Sequence, residues 1–128
     1  MRDGDESLKQ INGRYWLLLW DKRDRHLVVI SDVLAPLPQI FWACGSGQLV
    51  CSTHARTVLD VLGYRPVLRE EAVAQFLDVG TVLPPLSMYE GIDTLLPGHR
   101  LEWDAGEVRV TAGYEFQLDA HRPFSAEE

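Results

Sequence analysis

Apolar residues cluster in short blocks separated by charged or glycine-bearing turns. Tyr15-Trp-Leu-Leu-Leu-Trp20 and Leu27-Val-Val-Ile30 flank the polar stretch Asp21 to Arg25. Blocks of this length bounded by turn residues predict a β-hairpin, Arg14 to Trp20 against His26 to Ser31. Its first strand is apolar on both sides: Tyr15, Leu17 and Leu19 point one way, Trp16, Leu18 and Trp20 the other. A strand with one wet face would alternate apolar and polar. Both faces are therefore expected to be covered, with the sheet lying between two other layers.

The same reading extends down the chain. Pro36 and Pro38 interrupt the pattern and predict a loop. Gln39 to Ala43 and Leu49 to Ser52 read as strands joined by Gly45-Ser46-Gly47. Thr53 is placed to cap a helix ending at Leu62, with Gly63 as its stop. A second helix spans Glu70 to Val79, with Val73, Phe76 and Leu77 on one face and Gly80 as its stop. Glu70 and Glu71 in its first turn suit the helix dipole. Residues 81–98 read as irregular. A last strand pair, His99 to Trp103 and Glu107 to Thr111, turns through Asp104-Ala105-Gly106. The predicted class is α+β, with mostly antiparallel sheet and two helices. Leu8 to Ile11 is expected as a short helix, residues 1–7 as a mobile start and 117–128 as a polar tail, leaving one domain over 8–116.

Composition narrows the function classes. With 128 residues, 46% of them hydrophobic and 24% charged, the chain is long enough for one modest core and too apolar for disorder. A formal charge of −7 disfavours phosphate backbones and anionic membranes, so neither nucleic acid nor membrane is an expected partner. Nothing approaches a spanning segment or a signal peptide, which makes the cytoplasm the expected location. Two cysteines, Cys44 and Cys51, are too few for a disulfide scaffold and read as small core hydrophobes.

Candidate chemistry is thin. Cys51 and His54, with Cys44 and His26, fall short of a compact four-ligand zinc pattern. Gly45-Ser46-Gly47 lacks the flanks of a nucleophile elbow or a phosphate loop. Lys22, Arg23 and Arg25 read as a solvated turn, and Trp16, Trp20, Trp42 and Trp103 as core or interface anchors. His99, after Pro97-Gly98, reads as a strand-start residue that packs or hydrogen-bonds rather than as a catalyst.

Three stretches in order carry a family resemblance. They are Ile11-Asn12-Gly13 leading to Leu18-Leu19-Trp20-Asp21; Phe76-Leu77 to Gly80, then Tyr89-Glu90-Gly91-Ile92; and Leu95-Leu96-Pro97-Gly98-His99. Together they resemble the later part of the N-terminal class II glutamine amidotransferase domain of the asparagine synthase family, over about residues 8–116. That resemblance implies a partial N-terminal-nucleophile fold, two facing sheets covered by helices. In the family an N-terminal cysteine attacks the glutamine amide and its α-amino group serves as base. Ammonia then passes to a synthetase domain that uses ATP and magnesium.

This chain opens Met1-Arg2, and the family's glutamine-binding segments precede the part it resembles. Neither the glutaminase site nor the ATP site is expected within it, so no catalytic, cofactor or metal residue is assigned. The family loop Arg-Asp, a glycine three residues on, then Pro-Leu-Tyr, reads here Ser31-Asp32, Ala35 and Pro38-Gln39-Ile40. Asp32, Pro38, Pro97, Gly98 and His99 are the family-loop or interface positions the resemblance carries over. It implies an inactive amidotransferase domain serving an asparagine-synthase-like ligase in asparagine biosynthesis. The alternatives are the docking domain of a lasso-peptide cyclase or β-lactam synthetase type of ligase, or an independent interaction module. A synthetase domain or subunit, or a second copy, is the expected partner.

Overall fold

A computed structural model describes Ile11 and residues 13–34 and 38–113 of the chain. The expectations for residues 1–7, for the helix opening at Leu8 and for the tail from Gln117 lie outside the described residues. Two antiparallel sheets face each other, and two helices lie between their strands in sequence. The first sheet has the order β1-β2-β6-β7, from β1 (Trp16–Asp21), β2 (His26–Ser31), β6 (His99–Asp104) and β7 (Glu107–Ala112). The second has the order β4-β3-β5, from β3 (Phe41–Gly45), β4 (Gln48–Ser52) and β5 (Asp93–Thr94). Helix α1 (Ala55–Leu62) and helix α2 (Glu70–Val79) follow β4. The α+β class read from the sequence is what the chain adopts.

Tight turns set the registers. Ser46 and Gly47 both have positive φ (52° and 71°), as do Ala105 and Gly106 (48° and 96°). Two such residues in succession give the hairpin turn whose twist matches that of its strands. They fix Gly45 opposite Gln48 and Asp104 opposite Glu107. Gly63 and Gly80 close their helices in the left-handed conformation, as the sequence predicts. The start of α1 differs. His54, not Thr53, holds the cap position, without a side-chain cap bond. The Thr53 hydroxyl lies 2.9 Å from the His54 ring nitrogen Nδ1 instead.

The core has two parts that share one wall. Val29 and Leu101 of the first sheet meet Ile40 and Leu95, with Trp16, Leu27, Trp42, Leu49, Cys51 and Val108 packed around them. On the far side of β3, Ala43 and Ile92 meet Val58 and Leu59 of α1. Alternation along β3 accounts for this: Trp42 faces the other sheet and Ala43 faces the helix. The layers therefore run first sheet, second sheet, helix.

One expectation is corrected here. Among the described elements, the sheet held between two layers is the β3 sheet. Leu18, Leu19 and Trp20 are 51%, 40% and 49% exposed, so β1 is not covered on both faces. Trp16 of β1 still packs into the inter-sheet core, but Leu18 and Trp20 on the same face are left about half exposed. Phe76 and Leu77 are 48% and 79% exposed, and α2 buries only Ala72. The apolar spacing of α2 is real, but no described layer closes over it.

Candidate functional site

The residues singled out by resemblance meet where three segments cross. The chain leaves β2 at Ser31 and Asp32. The Asp32 N–H donates to the Tyr15 carbonyl (3.2 Å), and the Asp32 carbonyl accepts the Gly98 N–H (2.9 Å). The Gly98 carbonyl accepts the Gly113 N–H (2.8 Å) just beyond β7. Gly98 sits at φ 66°, where a side chain is disfavoured. Asp32 and Gly98 thus tie the β1–β2 hairpin to both ends of the β6–β7 hairpin.

The Asp32 side chain is 4% exposed. Its Oδ1 accepts the Leu34 N–H (2.6 Å), an Asx turn that shapes the loop. Its Oδ2 is buried and has no hydrogen-bond partner. The Ser31 hydroxyl, also buried, donates to the Asp32 carbonyl (3.2 Å). Pro97 and His99 join the junction through the ring nitrogen Nδ1 of His99, 2.8 Å from the Pro97 carbonyl. A carbonyl only accepts, so this contact puts the proton on Nδ1 and locks the ring to its own loop. Pro38 is exposed and lies outside this cluster. Its segment is tied in two residues later, where the Ile40 carbonyl accepts the Leu95 N–H (3.0 Å).

A second brace was not legible in the sequence. Arg69 donates to Asp93 (2.9 Å) and to the Ile92 carbonyl (3.3 Å), pinning the start of α2 to β5. Buried Ser87 accepts the Tyr89 N–H (3.1 Å), and its hydroxyl lies 2.7 Å from the Ile92 carbonyl. A lone serine between Leu86 and Met88 was the only hint of it.

The two thiols are set apart from all of this. Cys44 is exposed and its Sγ lies 3.7 Å from the Gly106 carbonyl. Cys51 packs into the inter-sheet core, and burial pushes its thiol from an ordinary 9.0 up to about 11. Cys44 and Cys51 share a sheet face but stand diagonally, since Cys44 pairs with Leu49 and Cys51 with Trp42. That diagonal is wider than a disulfide spans. Among the described residues, no cluster of three or more His, Cys, Asp or Glu could hold a metal ion.

The raised Cys51 value has a sign that can be measured. The unfolded thiol ionises near 9.0 and the folded one near 11, so ionisation favours the unfolded chain between those values. This contribution to stability is intact below pH 9 and is lost as pH rises toward 11. The expected decline is at most about 1.4 kcal/mol per pH unit. Urea titrations at stepped pH should show it, and Cys51→Ala should flatten it. At pH 8 iodoacetamide should label Cys44 well before Cys51.

Residues 1–115 match the sequence model of a glutamine amidotransferase domain. The chain belongs to that family. No curated protein matches it. Among the described residues, no helix is long and apolar enough to cross a membrane.

Proposed function

We propose that this chain is a non-hydrolytic scaffold portion of an asparagine-synthase-like glutamine amidotransferase domain. It serves an ATP-dependent amide-forming enzyme. ATP and magnesium belong to an associated synthetase domain or subunit, which is the expected partner. The observation that most supports this reading is the state of the thiols. Amide attack needs a thiolate with a base in reach and donors for the oxyanion. Cys51 is held protonated in a core, and the Cys44 sulfur faces a carbonyl, which cannot take its proton. Asp32, Gly98 and His99 make internal bonds that fix loops.

A second reading is the docking domain of a lasso-peptide cyclase or β-lactam synthetase type of ligase. It is favoured by Ser31 standing where the family has arginine, buried and turned onto the backbone. Both readings give the same assay result. Purified chain incubated with glutamine should release no ammonia above buffer. Clear turnover that Cys44→Ala or Cys51→Ala abolishes would refute the scaffold reading. The flanking coding sequence separates the two readings. Genes for peptide tailoring beside a synthetase favour the second.

A further inference from the structure

β1 is an edge strand among the described residues, with β2 on one side only. The Tyr15 carbonyl accepts the Asp32 N–H (3.2 Å), and antiparallel pairs alternate between bonded and non-bonded. Tyr15, Leu17, Leu19 and Asp21 therefore aim their backbone groups at β2. Trp16, Leu18 and Trp20 aim theirs at the open edge. The side chains of those three also share one face, the one on which Trp20 stacks at 6.2 Å from Trp103. Leu18 and Trp20 are about half exposed there. Such a bare, apolar edge is what proteins normally avoid.

We propose that this edge pairs with the β1 edge of a second copy, antiparallel about a two-fold axis at Leu18. The sequence is self-complementary in that register. Leu18 faces Leu18 of the other copy, and Trp16 faces Trp20 on either side of it. All the outward N–H and C=O groups of Trp16, Leu18 and Trp20 are then paired. Two Trp–Trp cross-strand pairs flank a Leu–Leu pair, a favourable combination on a half-buried sheet face. The result is one continuous eight-stranded sheet through an isologous contact. The same register carries Arg14 toward Lys22 of the other copy, a like-charge contact at each end. This inference is independent of what the domain catalyses.

Sedimentation of the full chain tests it. A contact through one edge strand engages few residues against the roughly 20–30 a side of a standard interface, so a weak dimer is expected, with Kd about 10–500 μM. Leu18→Lys should weaken association at least about tenfold while circular dichroism stays unchanged. Lys22→Glu should tighten it about three- to tenfold, because it turns both end contacts into opposite-charge pairs. In the wild type, hydrogen exchange at the Trp16, Leu18 and Trp20 amides should slow as concentration rises. The Leu17 and Leu19 amides should be slow throughout. This last readout holds even if Leu18→Lys fails to fold. A chain that stays monomeric to about 1 mM overturns the proposal. So does a dimer that is indifferent to Leu18→Lys or Lys22→Glu. A monomer with those three amides already protected would put another segment on the edge, and would overturn it equally.

Discussion

Leu101→Ala is expected to cost about 2–5 kcal/mol, because the cavity it leaves cannot readily collapse. Leu101 is fully buried at the centre of the inter-sheet core, on the third strand of a four-stranded sheet. Its neighbours Val29 and Val110 are held by the ladder on both sides. Backbone pairing therefore prevents the walls from closing in. A domain of this kind has about 5–15 kcal/mol in total, so the variant loses a large part of its margin. The check is the urea midpoint at an unchanged slope. A loss below about 1 kcal/mol would mean the two sheets are not packed through this residue.

Leu59→Ala is expected to cost a similar ~2–5 kcal/mol on the other side of the β3 wall. Leu59 is buried in the cluster of Ala43, Val58 and Ile92, and its carbonyl accepts the Tyr64 N–H (2.9 Å) beyond the helix end. The two variants probe separate clusters, yet both should shift one and the same unfolding transition. The reason is β3: Trp42 packs into the first cluster while Ala43 packs into the second. A strand that lines both cores cannot leave one and stay in the other. Two resolved transitions in Leu59→Ala, one carrying the helical signal alone, would contradict that coupling.

How much the sequence disclosed depended on how local the cause was. The hairpins β1–β2, β3–β4 and β6–β7 were legible because turn residues and apolar blocks lie next to each other. Helix α2 was read with the bounds it has, Glu70 to Val79, since Gly80 and the acidic first turn mark its ends. Strand β5 was missed. Two residues, Asp93 and Thr94, carry no period, and they are strand only because Phe41 and Trp42 come to meet them. The cover over β1 was misread. Spacing tells which side chains point together, but not whether anything arrives to cover them.

The candidate site divides the same way. Family resemblance marked Asp32, Pro97, Gly98 and His99, and the fold brings these four together. Their meeting could not be deduced from their chemistry, because the key bonds run through backbone groups of Asp32 and Gly98. Backbone bonds impose little side-chain signature beyond the glycine at positive φ. The Arg69–Asp93 contact was hidden for a different reason. Its partners are distant in sequence, and arginine on a protein surface is common.

The strand orders carry a consequence for how the chain reaches this state. Three of its seams join neighbours in sequence and can form within microseconds. The other two, β2 to β6 and β3 to β5, unite segments from opposite flanks of the helices. Closing those seams costs loop entropy before any contact is gained. Nascent β2 and β3 must therefore wait, one side bare, until the polypeptide beyond Ile92 has been synthesised. Ribosome-bound chains halted before that point should be the ones that recruit chaperones.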